Sequence, residues 1–141
     1  MNKCKKCLLA LSLIVFIVSG CSQIHTQKPD ESVPRFVTRI DVICHRENST
    51  TLRHYTTQEK IEPVLICLRL LEPRGKADRD PERLIGDTYR IVLYLSDGRR
   101  SVYHLQADRY LSRDHRPWER VNEKQAKKLY PLLMRLPSDQ I

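Results

Sequence analysis

The chain has 141 residues with 25 Lys and Arg against 17 Asp and Glu, a formal charge of +8 at pH 7, and this length holds one compact domain rather than a multidomain enzyme. Thirteen of the hydrophobic residues lie in the first twenty positions, so the rest of the chain supports a modest core. Without Lys3, Lys5 and Lys6 the charge falls to +5, an excess too ordinary to point to nucleic acid.

Those three lysines precede an apolar run from Leu8 to Val18 broken only by Ser12, then Ser19, Gly20 and Cys21, the charged, apolar, small order of a secretion signal. The run is 11 residues long, well short of the roughly 20 that cross a bilayer as a helix. Val18-Ser19-Gly20-Cys21 resembles the lipobox of bacterial lipoproteins. The resemblance implies that the Cys21 sulfur takes a diacylglyceryl group and becomes the mature first residue, its palmitate-type chains holding the protein at the extracytoplasmic face of the cell membrane. Two acyl chains suffice for stable anchoring, since each buried CH₂ contributes about 0.8 kcal/mol. The alternative is an ordinary secretory signal with an incidental cysteine. The expected organisation is a signal peptide over 1–20, a lipidated cysteine and polar tether over 21–35, and a single domain over 36–141.

Five cysteines sort by position. Cys4 and Cys7 have C-x-x-C spacing but fall in the signal, and Cys21 is the anchor. Cys44 continues an alternating apolar set and Cys67 sits beside a helical one, so both face an interior, as two buried thiols or, in an oxidising compartment, as a disulfide. Adjacent Cys44 and His45 point to opposite faces of a strand, which argues against one metal ion collecting both.

Phe36 to Arg46 alternates, with Ile40, Val42 and Cys44 on one face, and predicts a half-buried strand. A polar stretch from Glu47 to Thr50 turns it into a shorter strand, Thr51 to Thr56. Thr56 and Glu59 have capping-box spacing, and Ile61, Val64, Leu65, Leu68 and Leu71 then recur at helical intervals. Pro63 lies within the first turns and is expected to kink this helix or delay its start. Glu72 to Gly86 has neither period and reads as an exposed connection. From Asp87 to Leu95 alternation returns, followed by Ser96-Asp97-Gly98. A three-residue loop with Gly98 left-handed sets Tyr89, Ile91 and Leu93 beside Leu105, Tyr103 and Ser101, a cleaner segregation than a two-residue loop gives. Asp108 to Arg120 is expected to hold one short edge strand. Asn122 and Gln125 have capping spacing before Ala126, Leu129, Tyr130, Leu133 and Leu136, a second amphipathic helix kinked at Pro131. The expectation is an α+β fold: an antiparallel sheet of four to five strands in the order ββ-α-ββ(β)-α with two amphipathic helices packed on it.

Catalytic patterns are missing. There is no G-x-S-x-G, no H-E-x-x-H and no phosphate-cradling glycine loop among four glycines, so no catalytic residue, cofactor or metal is assigned. Asp78, Asp80 and Glu82 have the alternate spacing of a calcium loop but lack its glycine and terminal glutamate, and read as solvated charge. The most suggestive surface is Arg109, Tyr110, Arg113, Arg116, Trp118 and Arg120, because guanidinium and aromatic groups together suit anionic or sugar ligands. The plainer reading pairs these arginines with Asp108, Asp114 and Glu119 while Trp118 covers the core.

Lys60-Ile61 with Leu68 to Leu71, Gly86-Asp87-Thr88-Tyr89, Leu95-Ser96-Asp97-Gly98, and Trp118 ahead of the last helix resemble small uncharacterised lipoproteins of Gram-positive anaerobic bacteria. The resemblance covers roughly residues 36–139 and implies a one-membrane envelope. The expectation is a membrane-anchored, non-catalytic binding module whose partner is an envelope protein or an anionic wall polymer. The rivals are a small envelope hydrolase using His104, His115 and nearby carboxylates, and a sensor or inhibitor with one protein partner.

Overall fold

The computed structural model describes residues 36–140, so the expected signal, Cys21 and the tether lie outside the described residues. The fold is α+β, with an open antiparallel sheet in the order β2-β1-β3-β4-β5-β6. Strand β1 (Val37–Arg46) and strand β2 (Ser49–Tyr55) form the first hairpin. Its turn uses only Glu47 and Asn48, with Glu47 left-handed at φ 51° and the Ser49 hydroxyl donating to the Arg46 carbonyl at 3.0 Å. The second strand therefore starts two residues earlier than its polar sequence suggests.

Helix α1 (Gln58–Arg69) buries Ile61, Val64, Leu65, Cys67 and Leu68 against the sheet. Each such side chain contributes about 1.5–3 kcal/mol, together more than the roughly 3 kcal/mol that an interior proline costs. Pro63 accordingly neither delays nor interrupts the helix. The expected Thr56–Glu59 capping box does not form: Thr57 is the N-cap, without a side-chain bond. Thr56 is occupied elsewhere, its N–H and hydroxyl both donating to the Asp139 carboxylate at 2.8 Å.

Strands β3 (Thr88–Leu95) and β4 (Arg100–Gln106) pair as the three-residue loop requires, with Tyr89 opposite Leu105, Ile91 opposite Tyr103 and Leu93 opposite Ser101. Gly98 is left-handed at φ 83°. Beyond β4 the sheet exceeds the expected four to five strands. The segment Asp108 to Arg120 supplies two strands instead of one, β5 (Tyr110–Arg113) and the two-residue β6 (Glu119–Arg120), for a total of six. So short a strand carries no alternation. It is held from outside: Arg74 N–H donates to the Arg120 carbonyl at 2.7 Å, Arg120 N–H to Gly75 at 2.8 Å, and Ala77 N–H to Trp118 at 3.0 Å.

The connection from Glu72 to Gly86 is thus part of the architecture. It folds over the β4–β5 end of the sheet, where Gln106 donates to the Leu84 carbonyl at 2.9 Å and the Tyr110 hydroxyl to Asp78. Asp80 caps a short 3₁₀ turn, Pro81–Arg83, by accepting from Glu82 N–H.

The expected last helix divides into α2 (Glu123–Ala126) and α3 (Leu129–Arg135). Asn122 caps α2, accepting from Lys124 N–H at 3.1 Å. In a continuous helix the Pro131 ring meets the Lys127 carbonyl, so the chain turns at Lys127 and Lys128, and Pro131 falls in the first turn of α3, where no donor is needed. After α3 the chain closes the β2 edge. Asp139 N–H donates to the His54 carbonyl at 2.8 Å, His54 N–H donates to Ser138 Oγ at 2.9 Å, and the edge is shielded from further pairing. The Lys60 ammonium and the Thr56 donors hold the Asp139 carboxyl down at about 2.

The core lies between α1, α2, α3 and one sheet face, where Ile40, Val42, Ile91, Leu93 and Leu105 are fully buried with Leu129. Both Cys44 and Cys67 belong to it as free thiols. Burial pushes the Cys67 thiol up to about 11.

Candidate functional site

The six arginine and aromatic residues singled out by sequence do not make one surface. Register divides them. Arg113 stands opposite Tyr103 and Leu111 opposite Leu105, on the helix side of the sheet, while Tyr110 faces the other way across from Arg120. Two recesses result, one on each side of the β5–β6 ribbon.

The first is a cleft of about 410 Å³ whose lining includes Arg113, Arg116 and Trp118 over an apolar floor from Leu68, Leu71 and Leu111. The end of α1 and its exit at Leu71 form one wall, and the β5–β6 turn forms the other. Tyr103 completes the floor. Its hydroxyl is buried and has no hydrogen-bond partner among the described residues. Burial raises the Tyr103 phenol above its ordinary range, with Arg113 pulling the other way. Arg113 is half-buried and Arg116 exposed, and among the described residues neither has a carboxylate within ion-pair distance.

The second recess, about 530 Å³, is lined by Arg74, Asp78, Arg109, Tyr110, Arg120, Val121 and Glu123. Here the polar groups are mostly committed to one another. Tyr110 is buried and holds Asp78, keeping that carboxyl below its usual range, and Arg109 pairs with Glu123 at 2.8 Å.

The expected partnering of the arginines with Asp108, Asp114 and Glu119 is also corrected. Asp114 accepts from Val102 N–H at 2.7 Å and from the Ser101 hydroxyl at 3.0 Å, tying the β5–β6 turn to β4. That turn places Asp114 and His115 left-handed at φ 50° and 61°, which leads the chain back past Arg116 to Trp118. Asp108 carries a carboxyl raised by burial and by nearby Asp87. Sequence reasoning placed Tyr103 on the core face by its hairpin register, but nothing in that register marks its hydroxyl as orphaned.

Three groups named for the hydrolase reading fall apart in the same way. The rings of His104 and His115 lie 6.3 Å apart, with His104 pushed below its ordinary value by burial, Arg90 and His115. Neither ring has a carboxylate partner among the described residues. Among the described residues the one histidine with such a partner is His54, whose Nδ1 lies 2.7 Å from Asp41 Oδ1, and Arg39 occupies both oxygens of that carboxylate at 2.7 and 2.6 Å. No group of three or more metal-ligating side chains occurs among the described residues, and no helix there is long and apolar enough to cross a membrane. No family model, curated protein or solved structure matches the chain.

Proposed function

We propose that the protein is a bacterial lipoprotein, anchored through Cys21 at the outer face of the cell membrane, whose domain binds without catalysis an anionic group carried on an apolar body. The observation that carries the reading is the cleft: Arg113 and Arg116, without carboxylate partners among the described residues, beside Trp118 and the Tyr103 hydroxyl, likewise unpartnered there, over Leu68, Leu71 and Leu111. A buried hydroxyl without a partner costs about 1–3 kcal/mol, and a phosphate or carboxylate oxygen recovers that cost while accepting from the guanidinium groups. Trp118 supplies a flat face for the apolar part. A wall polymer, a lipid or an acidic side chain of an envelope protein all present this chemistry. The polar tether and the lipobox-like Val18-Ser19-Gly20-Cys21 support the location, and the separation of His104 and His115 from carboxylates among the described residues supports a binder over a hydrolase.

Trp118 is the single tryptophan of the chain, so its fluorescence reports on the cleft directly. Titration with hexyl phosphate is expected to give a saturable change that hexanol does not give. Replacing Arg113 and Arg116 with Gln weakens binding by about tenfold or more, since hydrogen bonds to charged groups are worth about 1.5–3 kcal/mol each. Tyr103→Phe, which keeps the ring, weakens it several-fold. Equal affinity for both probes, or an unchanged double variant, overturns the assignment of the cleft.

A further inference from the structure

The sheet has a second face that the helices do not touch. Strand register assigns to it Leu52 and His54 on β2, Asp41 and Ile43 on β1, Arg90, Val92 and Tyr94 on β3, and Arg100, Val102 and His104 on β4. The connection from Glu72 to Gly86 covers its far end, where Gln106 and Tyr110 are buried. Across β1 to β4 no described element lies over it. Leu52 is 55 % exposed, and Ile43, Val92, Tyr94 and Val102 are half-buried.

The charge on this open part has one sign. Arg90 and Arg100 are exposed, and among the described residues neither has an ion-pair partner. Arg39 lies over the Tyr94 ring at 4.7 Å. The one carboxylate that register places here, Asp41, is buried and already taken by Arg39 and His54. Neither recess opens among these residues, and the surface is an open sheet face four strands wide, basic, with an apolar row through its middle.

We propose that this open face docks on an anionic lipid bilayer. A planar, anionic, partly apolar surface complements all three properties at once, and basic residues held at such a surface each add to partitioning. A second copy of the chain is disfavoured, because a two-fold contact through this face sets one basic patch against another. The 14 residues between Cys21 and Phe36, at about 3.3 Å each when extended, leave β1 free to lie against the membrane. The inference rests on the membrane-side reading of the protein and deepens it: docking this face turns the helix side of the sheet, with the Arg113 cleft, away from the lipid.

The test uses the full chain with vesicles of phosphatidylcholine alone or with phosphatidylglycerol added, read by hydroxyl-radical footprinting. Ile66 on α1, 48 % exposed, serves as an internal reference on the helix side. Oxidation of Leu52 and Tyr94 is expected to fall several-fold with anionic vesicles only, while that of Ile66 does not change. Arg90→Gln with Arg100→Gln, two exposed positions whose folding is checked by circular dichroism, is expected to weaken partitioning by on the order of tenfold and to restore oxidation. Leu52 equally oxidised in both vesicle types overturns docking, and if the chain still floats with both, anchorage through Cys21 stands without it. Protection that grows with protein concentration in the absence of vesicles overturns it in favour of a second copy. Protection by polyglutamate but not by vesicles overturns it in favour of an acidic protein.

Discussion

Two hairpins share strand β4 and turn by opposite means. Between β3 and β4 the loop puts Gly98 at φ 83°, with Gly98 N–H donating to the Leu95 carbonyl at 3.0 Å and Asp97 accepting from Arg99 N–H and Nε. Local preference and fold agree there. Between β4 and β5 the two turn residues are Ala107 and Asp108, left-handed at φ 54° and 52°, closed by Arg109 N–H to the Gln106 carbonyl at 3.1 Å. That geometry favours Asn-Gly, and a left-handed residue with a side chain costs roughly 1–2 kcal/mol. The second turn is held by its surroundings: Ala107 N–H donates to the Asp87 carbonyl at 2.8 Å, and Gly86 lets the Ala107 methyl approach the backbone. The difference teaches that a turn can be imposed by what packs on it, against its own residue preferences.

The largest effect is expected where both hairpins depend on one strand. Leu105 is fully buried on β4, and Leu105→Ala is expected to cost about 3 kcal/mol, read as a lower urea midpoint with unchanged slope. Loss of β5 protection alone in hydrogen exchange, with β3 intact, would contradict this shared dependence. Next come the two glycines, which separate local from imposed turns. A Cβ at Gly98 meets nothing within 4 Å, whereas one at Gly86, itself at φ 154°, lies 2.9 Å from Ala107 Cβ and 3.1 Å from its Cα. Gly98→Ala is expected to cost about 1 kcal/mol from backbone strain alone, and Gly86→Ala about 2 kcal/mol or more, since strain and overpacking add. The reverse order in denaturant titrations would mean that the β4–β5 turn does not lean on Gly86.

The same contrast explains what was legible in the sequence. Ile40, Val42 and Cys44, Tyr89, Ile91 and Leu93, and the helical set from Ile61 to Leu68 are placed by burial, which writes a period of two or 3.6 into the chain. The β3–β4 register followed from that period plus Gly98. Strand β6 and the turn at Ala107 and Asp108 were not legible, because hydrogen bonds from Arg74 and Ala77 N–H and to the Asp87 carbonyl, all distant in sequence, hold them. The cleft was half legible. Composition marked Arg113, Arg116 and Trp118, but the alternation of β5 separates them from Tyr110 and Arg120, and Asp114 serves the backbone of β4 rather than an arginine.

The smallest effect has the opposite sign and isolates the cost carried by the imposed turn. Asp108→Gly removes a side chain from a left-handed position, and is expected to stabilise the protein by about 1 kcal/mol. A second contribution depends on pH. The Asp108 carboxyl is raised in the fold by burial and by Asp87, so its ionised form opposes folding. That opposition is absent below the ordinary carboxyl value and fully present once pH has risen through the raised one. The gain from Asp108→Gly is therefore expected to be larger at pH 7 than at pH 3, where only relief of backbone strain remains, and Asp108→Asn is expected to recover the pH-dependent part alone. Midpoints of urea unfolding at the two pH values separate the contributions. A gain from Asp108→Gly no larger than that from Asp108→Asn at pH 7 would show that the turn carries charge strain only, and that its left-handed backbone is fully repaid by the contacts of Ala107.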